Sequence, residues 1–151
     1  SFGFALILLA VMIFAKETIS VRVGLAWGAA AFVVTGLAPA LGLSPELPGS
    51  AAGELAARQV WWIGTVLATA VGLWLVLKVS SPITIVAGLV LIVVPHIIGA
   101  PHPQEFTSEV PGEVTAHFAS ASLVVHAVMW SLIGAITGYM WKRSQESADI
   151  T

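Results

Sequence analysis

Continuous apolar runs dominate this chain and leave it few ways to fold. They cover Val23 to Leu43, Val60 to Leu77, Ile83 to Ala100 and about His117 to Trp141. Each is long enough, or nearly so, to cross a hydrocarbon core of ~30 Å as a helix, which closes its backbone hydrogen bonds internally. A fifth run, Phe2 to Ala15, opens the chain and falls short of the roughly 20 residues a spanning helix needs. The runs are continuous rather than alternating, which excludes a membrane β-barrel. The expected fold is therefore all-α, a polytopic membrane bundle of about five transmembrane segments. A single transmembrane domain is expected over residues 1–143, with a short tail over 144–151. Ser1 stands directly against the first run, so that segment is expected to be truncated, its natural start lying upstream. It does not resemble a signal peptide, because no basic stretch precedes the apolar residues.

Composition removes the other broad classes. Apolar residues make up 58% and charged residues 9%, with mean hydropathy +0.96; an ordinary soluble domain is about 25% charged. The net charge of −2 provides no basic face for phosphates, so nucleic acid is not an expected partner. The chain has no cysteine, hence no disulfide and no thiolate metal site. Transition-metal chemistry would fall to histidine, carboxylate, methionine or backbone oxygen. No Walker A, HExxH or GxSxG sequence occurs, so neither nucleotide hydrolysis nor a familiar hydrolase chemistry is expected.

Polar links separate the runs at Lys16–Arg22, Ser44–Gln59, Lys78–Pro82 and Pro101–Ala116. If the segments alternate across the membrane, Lys16, Arg22, Lys78, Lys142 and Arg143 share one side, and the other side has only Arg58. Basic residues favour the cytoplasmic side. Loops 44–59 and 101–116 are therefore expected outside, with the C-terminus in the cytoplasm. The outer loops hold Glu46, Glu54, Glu105, Glu109 and Glu113, so the outer face is acidic. Trp61 and Trp62 at one interface, and Tyr139 and Trp141 at the other, fit aromatic belts. Trp27, Trp74 and Trp130 read as packing or lipid contacts. Small residues recur at helical spacing: Gly24 and Gly28, Gly134 and Gly138, and the row Gly64, Ala68, Gly72. Such rows let helix backbones approach closely and argue for a packed bundle.

The histidines carry most of the functional information. His96 falls at the outer end of the fourth run, His102 in the outer loop, and His117 at the outer start of the fifth. Glu113 and His117 are four apart and share one face if a helix begins near Pro111. Imidazole and carboxylate suit divalent first-row cations. The expected metal residues are thus His96, His102, His117, Glu113 and Glu109, with Glu105 adding charge. Glu46 and Glu54 complete the mouth, and Arg58 pairs with one of them. Pro95, Gly99, Pro101 and Pro103 break the backbone beside His96 and His102, as is tolerated where it lines a cavity. His126 lies roughly 13 Å deeper than His117 and on the opposite face of a straight helix. An ionisable residue at that depth is a functional candidate by default, with a hydrogen bond to Ser122 or a neighbouring helix as the plain reading. Two classes follow from the residues: a cation channel or transporter subunit, and a membrane anchor holding haem or quinone between helices through two axial histidines; His96 and His126 come from different helices but differ in depth, which counts against haem.

Three strings point further. Gly36 to Trp62 (GLAPALGLSPELPGSAAGELAARQVWW), Val94 to Pro103 (VPHIIGAPHP) and the stretch from His117 to Arg143 resemble the CbtA family of proposed cobalt transporter subunits. The resemblance covers about residues 1–143. It implies an integral subunit for cobalt uptake in the bacterial inner membrane, linked to cobalamin supply, with the cobalt ion as transported substrate. It also implies a small one-helix partner subunit in the lipid bilayer; a homo-oligomer is compatible with these features. The family pattern takes in Pro95, His96, Gly99, Pro101 and His102, and in the first loop Pro45 to Pro48, Arg58, Gln59 and Trp61. The chain departs from it in lacking the expected upstream helix with its polar, often histidine-rich segment, and in carrying His126.

Overall fold

The computed structural model describes residues 2–48, 53–79, 81–103 and 110–148. Every regular element among them is a helix. Five apolar helices follow one another: α1 (Phe2–Phe14), α2 (Val21–Ala40), α3 (Leu55–Val79), α4 (Pro82–Ile98) and α5 (Gly112–Ala148). α2, α3 and α5 are long and apolar enough to cross a membrane, and α1 and α4 are shorter. The chain is a helical membrane bundle, in the order the apolar runs predict.

Local chemistry explains where the helices begin and end. α1 stops in a Schellman turn: Lys16 has φ 56°, its N–H donates to Ile13 O, and Glu17 N–H donates to Met12 O. α2 widens to π-helical turns over Val33–Leu37 just before Pro39, which has no N–H for the carbonyl four residues back. α3 starts ahead of its apolar run because Glu54 caps it. α4 opens on a capping box between Ser81 and Thr84, with Pro82 at the first helical position. α5 starts at Gly112, next to Pro111 and ahead of its apolar run, with Thr115 N–H donating to Pro111 O. It runs past Trp141 as far as Ala148, where Lys142 and Glu146 pair across one exposed turn.

The helices build two compact units, residues 1–32 with 125–151 and residues 33–124. The first has a core of Leu8, Met12, Trp130 and Ile133, with Val23, Trp27 and Phe32 packed on it. Here α2 and α5 run antiparallel at backbone contact. A Cβ on Gly24 would fall on the Gly134 carbonyl oxygen, one on Gly28 on the Trp130 carbonyl, and one on Gly138 on the Ser20 carbonyl. Both predicted glycine pairs thus belong to a single interface.

In the second unit α3 and α4 form an antiparallel hairpin. A Cβ on Gly72 would stand 2.6 Å from Gly88 O, and one on Gly88 2.6 Å from Gly72 O. The row Gly64, Ala68, Gly72 is only partly used, because Gly64 has nothing within 4 Å of its missing Cβ. Positions four apart drift by about 40° around a helix. The buried face of α3 follows Thr65, Thr69 and Gly72, with Val76 against Gly88, and leaves Gly64 outside it.

Candidate metal-handling site

The second unit brings together the two links expected on one side of the membrane. A Cβ on Gly42 would stand 2.9 Å from the Ala100 Cβ, and one on Gly53 3.1 Å from Pro101 O and 3.3 Å from His102 O. The 44–59 and 101–116 links therefore meet beside the open ends of α3 and α4.

His96 lies in the last turns of α4, next to Pro95. Trp61 on α3 reaches across the hairpin, and its indole Nε1–H donates to Pro95 O at 3.1 Å. The Trp61 and His96 rings meet edge to face, with centroids 5.8 Å apart. Gly99, at φ 88°, ends the helix and gives its own N–H to Pro95 O. The neighbours thus fasten the Pro95 carbonyl twice, while the His96 Nε2 is buried without a hydrogen-bond partner. An imidazole nitrogen in that state is a ready ligand or proton carrier. Trp62, one position on, is 40% exposed.

The remaining candidates are spread out. His102 is exposed in the irregular stretch after α4, and Glu113 and His117 are exposed on one face in the first turns of α5. Glu105 and Glu109 lie outside the described residues. Among the described residues, no three histidine, aspartate or glutamate side chains come close enough together to hold a metal ion.

The structure gives the first-loop carboxylates partners of their own. Glu46 and Arg58 form an ion pair at 2.6 Å, with side chains 27% and 24% exposed. Arg58 does pair with a loop glutamate, as its position suggests. Glu54 is equally committed, because its two oxygens accept from Ala56 N–H at 2.9 Å and Ala57 N–H at 2.7 Å. Those backbone bonds hold its carboxyl below the ordinary range. Both carboxylates thus have structural partners: Glu46 pairs with Arg58 and Glu54 caps α3.

His126 belongs to the other unit. Its Nε2 accepts from the Trp130 indole Nε1–H at 2.9 Å, and its ring meets Phe32 edge to face at 6.0 Å. The partner is Trp130, one turn along the same helix, and not Ser122. With its Nε2 lone pair engaged, His126 does not offer that nitrogen to a haem iron. The sequence did hold a signal for this contact, since residues four apart on a helix are neighbours. The Trp61–His96 contact had none, because it depends on how α3 and α4 pair.

Over residues 1–142 the chain matches the sequence model of a family described as "Probable cobalt transporter subunit (CbtA)". No curated protein and no solved structure matches it.

Proposed function

The chain belongs to the CbtA family of probable cobalt transporter subunits, and from that premise we propose that it captures Co²⁺ at the outer face of the bacterial cytoplasmic membrane and passes it inward. The family match carries this reading. The unpartnered His96 nitrogen, beside the place where the two links meet, supports a role for that end of the second unit. In this reading Glu105, Glu109 and Glu113 draw the hydrated cation in by charge. His102, His117 and His96 then exchange in turn for its hydration waters. Single ligands met in succession suit passage better than one tight cage. Glu46, Arg58 and Glu54 hold the mouth in shape.

The uneven distribution of Lys and Arg supports an orientation with both links outside and the C-terminus in the cytoplasm. Because the chain has no cysteine, Ser44→Cys and Ser147→Cys variants test this directly. A membrane-impermeant maleimide should label the first and not the second in intact cells. A potential of 100 mV, negative inside, favours inward movement of a +2 ion by ~4.6 kcal/mol. The word subunit in the family's description implies a partner protein. We take that partner to be a small one-helix subunit, and the destination of the metal to be cobalamin synthesis.

The test is radioactive cobalt uptake by cobalt-starved cells expressing the full-length protein with its partner. Uptake above that of cells lacking both genes is expected, together with its loss in a His96→Ala/His102→Ala variant that still reaches the membrane. Unchanged uptake in that variant overturns the assignment of the histidines. No uptake in cells expressing both proteins well overturns transport itself.

A further inference from the structure

Among the described residues, the buried side-chain nitrogen and oxygen atoms without a hydrogen-bond partner are Arg58 Nε, His96 Nε2 and Thr69 Oγ1. All three lie on the α3–α4 hairpin of the second unit. We propose that they mark a file of bound water, which runs from the link end of the hairpin to the middle of the membrane and has its inner end at Thr69.

Helix geometry puts these groups in one line. Arg58, Trp61, Thr65, Thr69 and Gly72 follow one another on α3 at spacings of three, four, four and three residues. At 3.6 residues per turn they stay within an arc of about 80°. This is the inward face of α3, since Thr65 and Thr69 are fully buried and Gly72 lies against Gly88 of α4. His96 joins the line from α4 at the height of Trp61, whose indole bonds to the neighbouring Pro95 carbonyl and whose ring meets the imidazole. Thr69 lies about 12 Å along the helix beyond Trp61, at the centre of the apolar run Val60 to Leu77. Both threonines of that run fall on the line.

The two threonines differ in what their hydroxyls do. Thr65 donates to Trp61 O at 2.9 Å, the usual outcome for a threonine inside a helix. The Thr69 hydroxyl leaves the equivalent Thr65 carbonyl alone, although its side chain is fully buried. A polar atom stranded at that depth costs stability unless a small polar molecule binds it.

The mixture of donors and acceptors identifies that molecule. Arg58 Nε–H can only donate, the Thr69 hydroxyl can donate and accept, and His96 Nε2 does one or the other according to its tautomer. A metal ion suits imidazole or hydroxyl but not guanidinium, whereas water suits all three. Beside Thr69 a water has the hydroxyl and the second lone pair of the Thr65 carbonyl as partners. At the outer end Glu46 balances the charge of Arg58. α3 also packs against the π-helical turns of α2 at Val33–Leu37, and such turns recur at functional sites. Where the chain passes Co²⁺, the file lets the ion keep part of its hydration shell beyond His96. That consequence rests on the transport reading, and the file itself does not.

Water-edited solid-state NMR of the full chain in phosphatidylcholine bilayers, with ¹³C-labelled threonine, leucine and valine, reads the file in the wild type. Polarisation from water should reach Thr69 severalfold faster than Leu67 and Val71, which stand at similar depth on the opposite side of α3 and are 59% and 51% exposed. Because the chain has no cysteine, Thr69→Cys and Leu67→Cys give a second readout in intact cells. Ag⁺, a thiol-binding ion that travels in water, should protect the first thiol from alkylation after denaturation and leave the second reactive. Transfer to Thr69 as slow as to Leu67 overturns the proposal, and so does a Thr69→Cys thiol as inert to Ag⁺ as that of Leu67→Cys. If Thr69→Cys does not fold, the wild-type transfer rates decide. Neither readout measures cobalt uptake, so failure of transport and failure of the file are separate results.

Discussion

Replacing Gly24 with alanine puts one methyl group into the tightest contact in the first unit. The new Cβ would lie on the Gly134 carbonyl oxygen, and 3.3 Å from the Gly138 nitrogen. Carbon–oxygen contacts between packed helices settle at about 3.3–3.6 Å, so α2 and α5 must separate locally by roughly 1 Å. That separation also opens the neighbouring contacts of Gly28 with Trp130 and of Gly138 with Ser20, which lie on the same seam. A gap of ~0.5–1 Å forfeits a quarter to a half of each atom pair's dispersion well. Overpacking of this kind costs ~1–3 kcal/mol. We expect about 2 kcal/mol for Gly24→Ala, roughly a 30-fold fall in the folded ratio. Gly64→Ala is the matched control: the same change in a helix, with nothing within 4 Å of the new methyl. It should be neutral, or stabilising by up to about 1 kcal/mol, because alanine loses less backbone entropy than glycine. The assay is equilibrium unfolding of the purified protein in mixed micelles on titration with denaturing detergent, followed by circular dichroism. Equal stability of the two variants would refute the close approach of α2 and α5. The double variant Gly24→Ala/Gly134→Ala should cost less than the sum of its parts, since the first separation makes room for the second.

Three more outcomes follow from the second unit and are read by the same unfolding assay. Gly99→Ala forces an alanine to φ 88°, with nothing crowding the new methyl, so backbone strain alone should cost about 1–3 kcal/mol. Trp61→Phe removes the indole bond to Pro95 O, but Gly99 N–H still satisfies that carbonyl. The loss should be near ~0.5–1 kcal/mol, and the environment of the His96 ring should change in its NMR spectrum. The Glu54 carboxyl titrates lower in the folded chain than its ordinary 4.5, through its bonds to Ala56 and Ala57. Its capping contribution is therefore complete above about pH 4.5 and disappears as pH falls through the lowered value. Wild-type stability should exceed that of Glu54→Gln at neutral pH, and the difference should shrink on acidification. A constant difference across that range contradicts the cap.

The five apolar helices, their order and several of their ends were legible in the sequence. A bilayer demands that each spanning segment satisfy its own backbone, so the apolar runs by themselves determine helices. Pro111 acts on its own next turn and needs no partner, and it marks a helix start directly. The family was legible too, because the loop strings around Glu46, Arg58 and His96 are unusual. What only the tertiary structure decided is which of two similar residues faces inward. Trp61 bonds to Pro95 while Trp62 faces out, and Gly24 sits on a carbonyl while Gly64 touches nothing. Glu46 and Glu54 read alike as acidic loop residues, yet one neutralises Arg58 and the other caps α3. Periodicity places a side chain on a face, but the partner it meets depends on the approach of a second helix. In a chain whose faces are nearly all apolar, the pattern carries little information about that approach. Backbone contact at glycine, and the few polar atoms that must find one another, settle it instead.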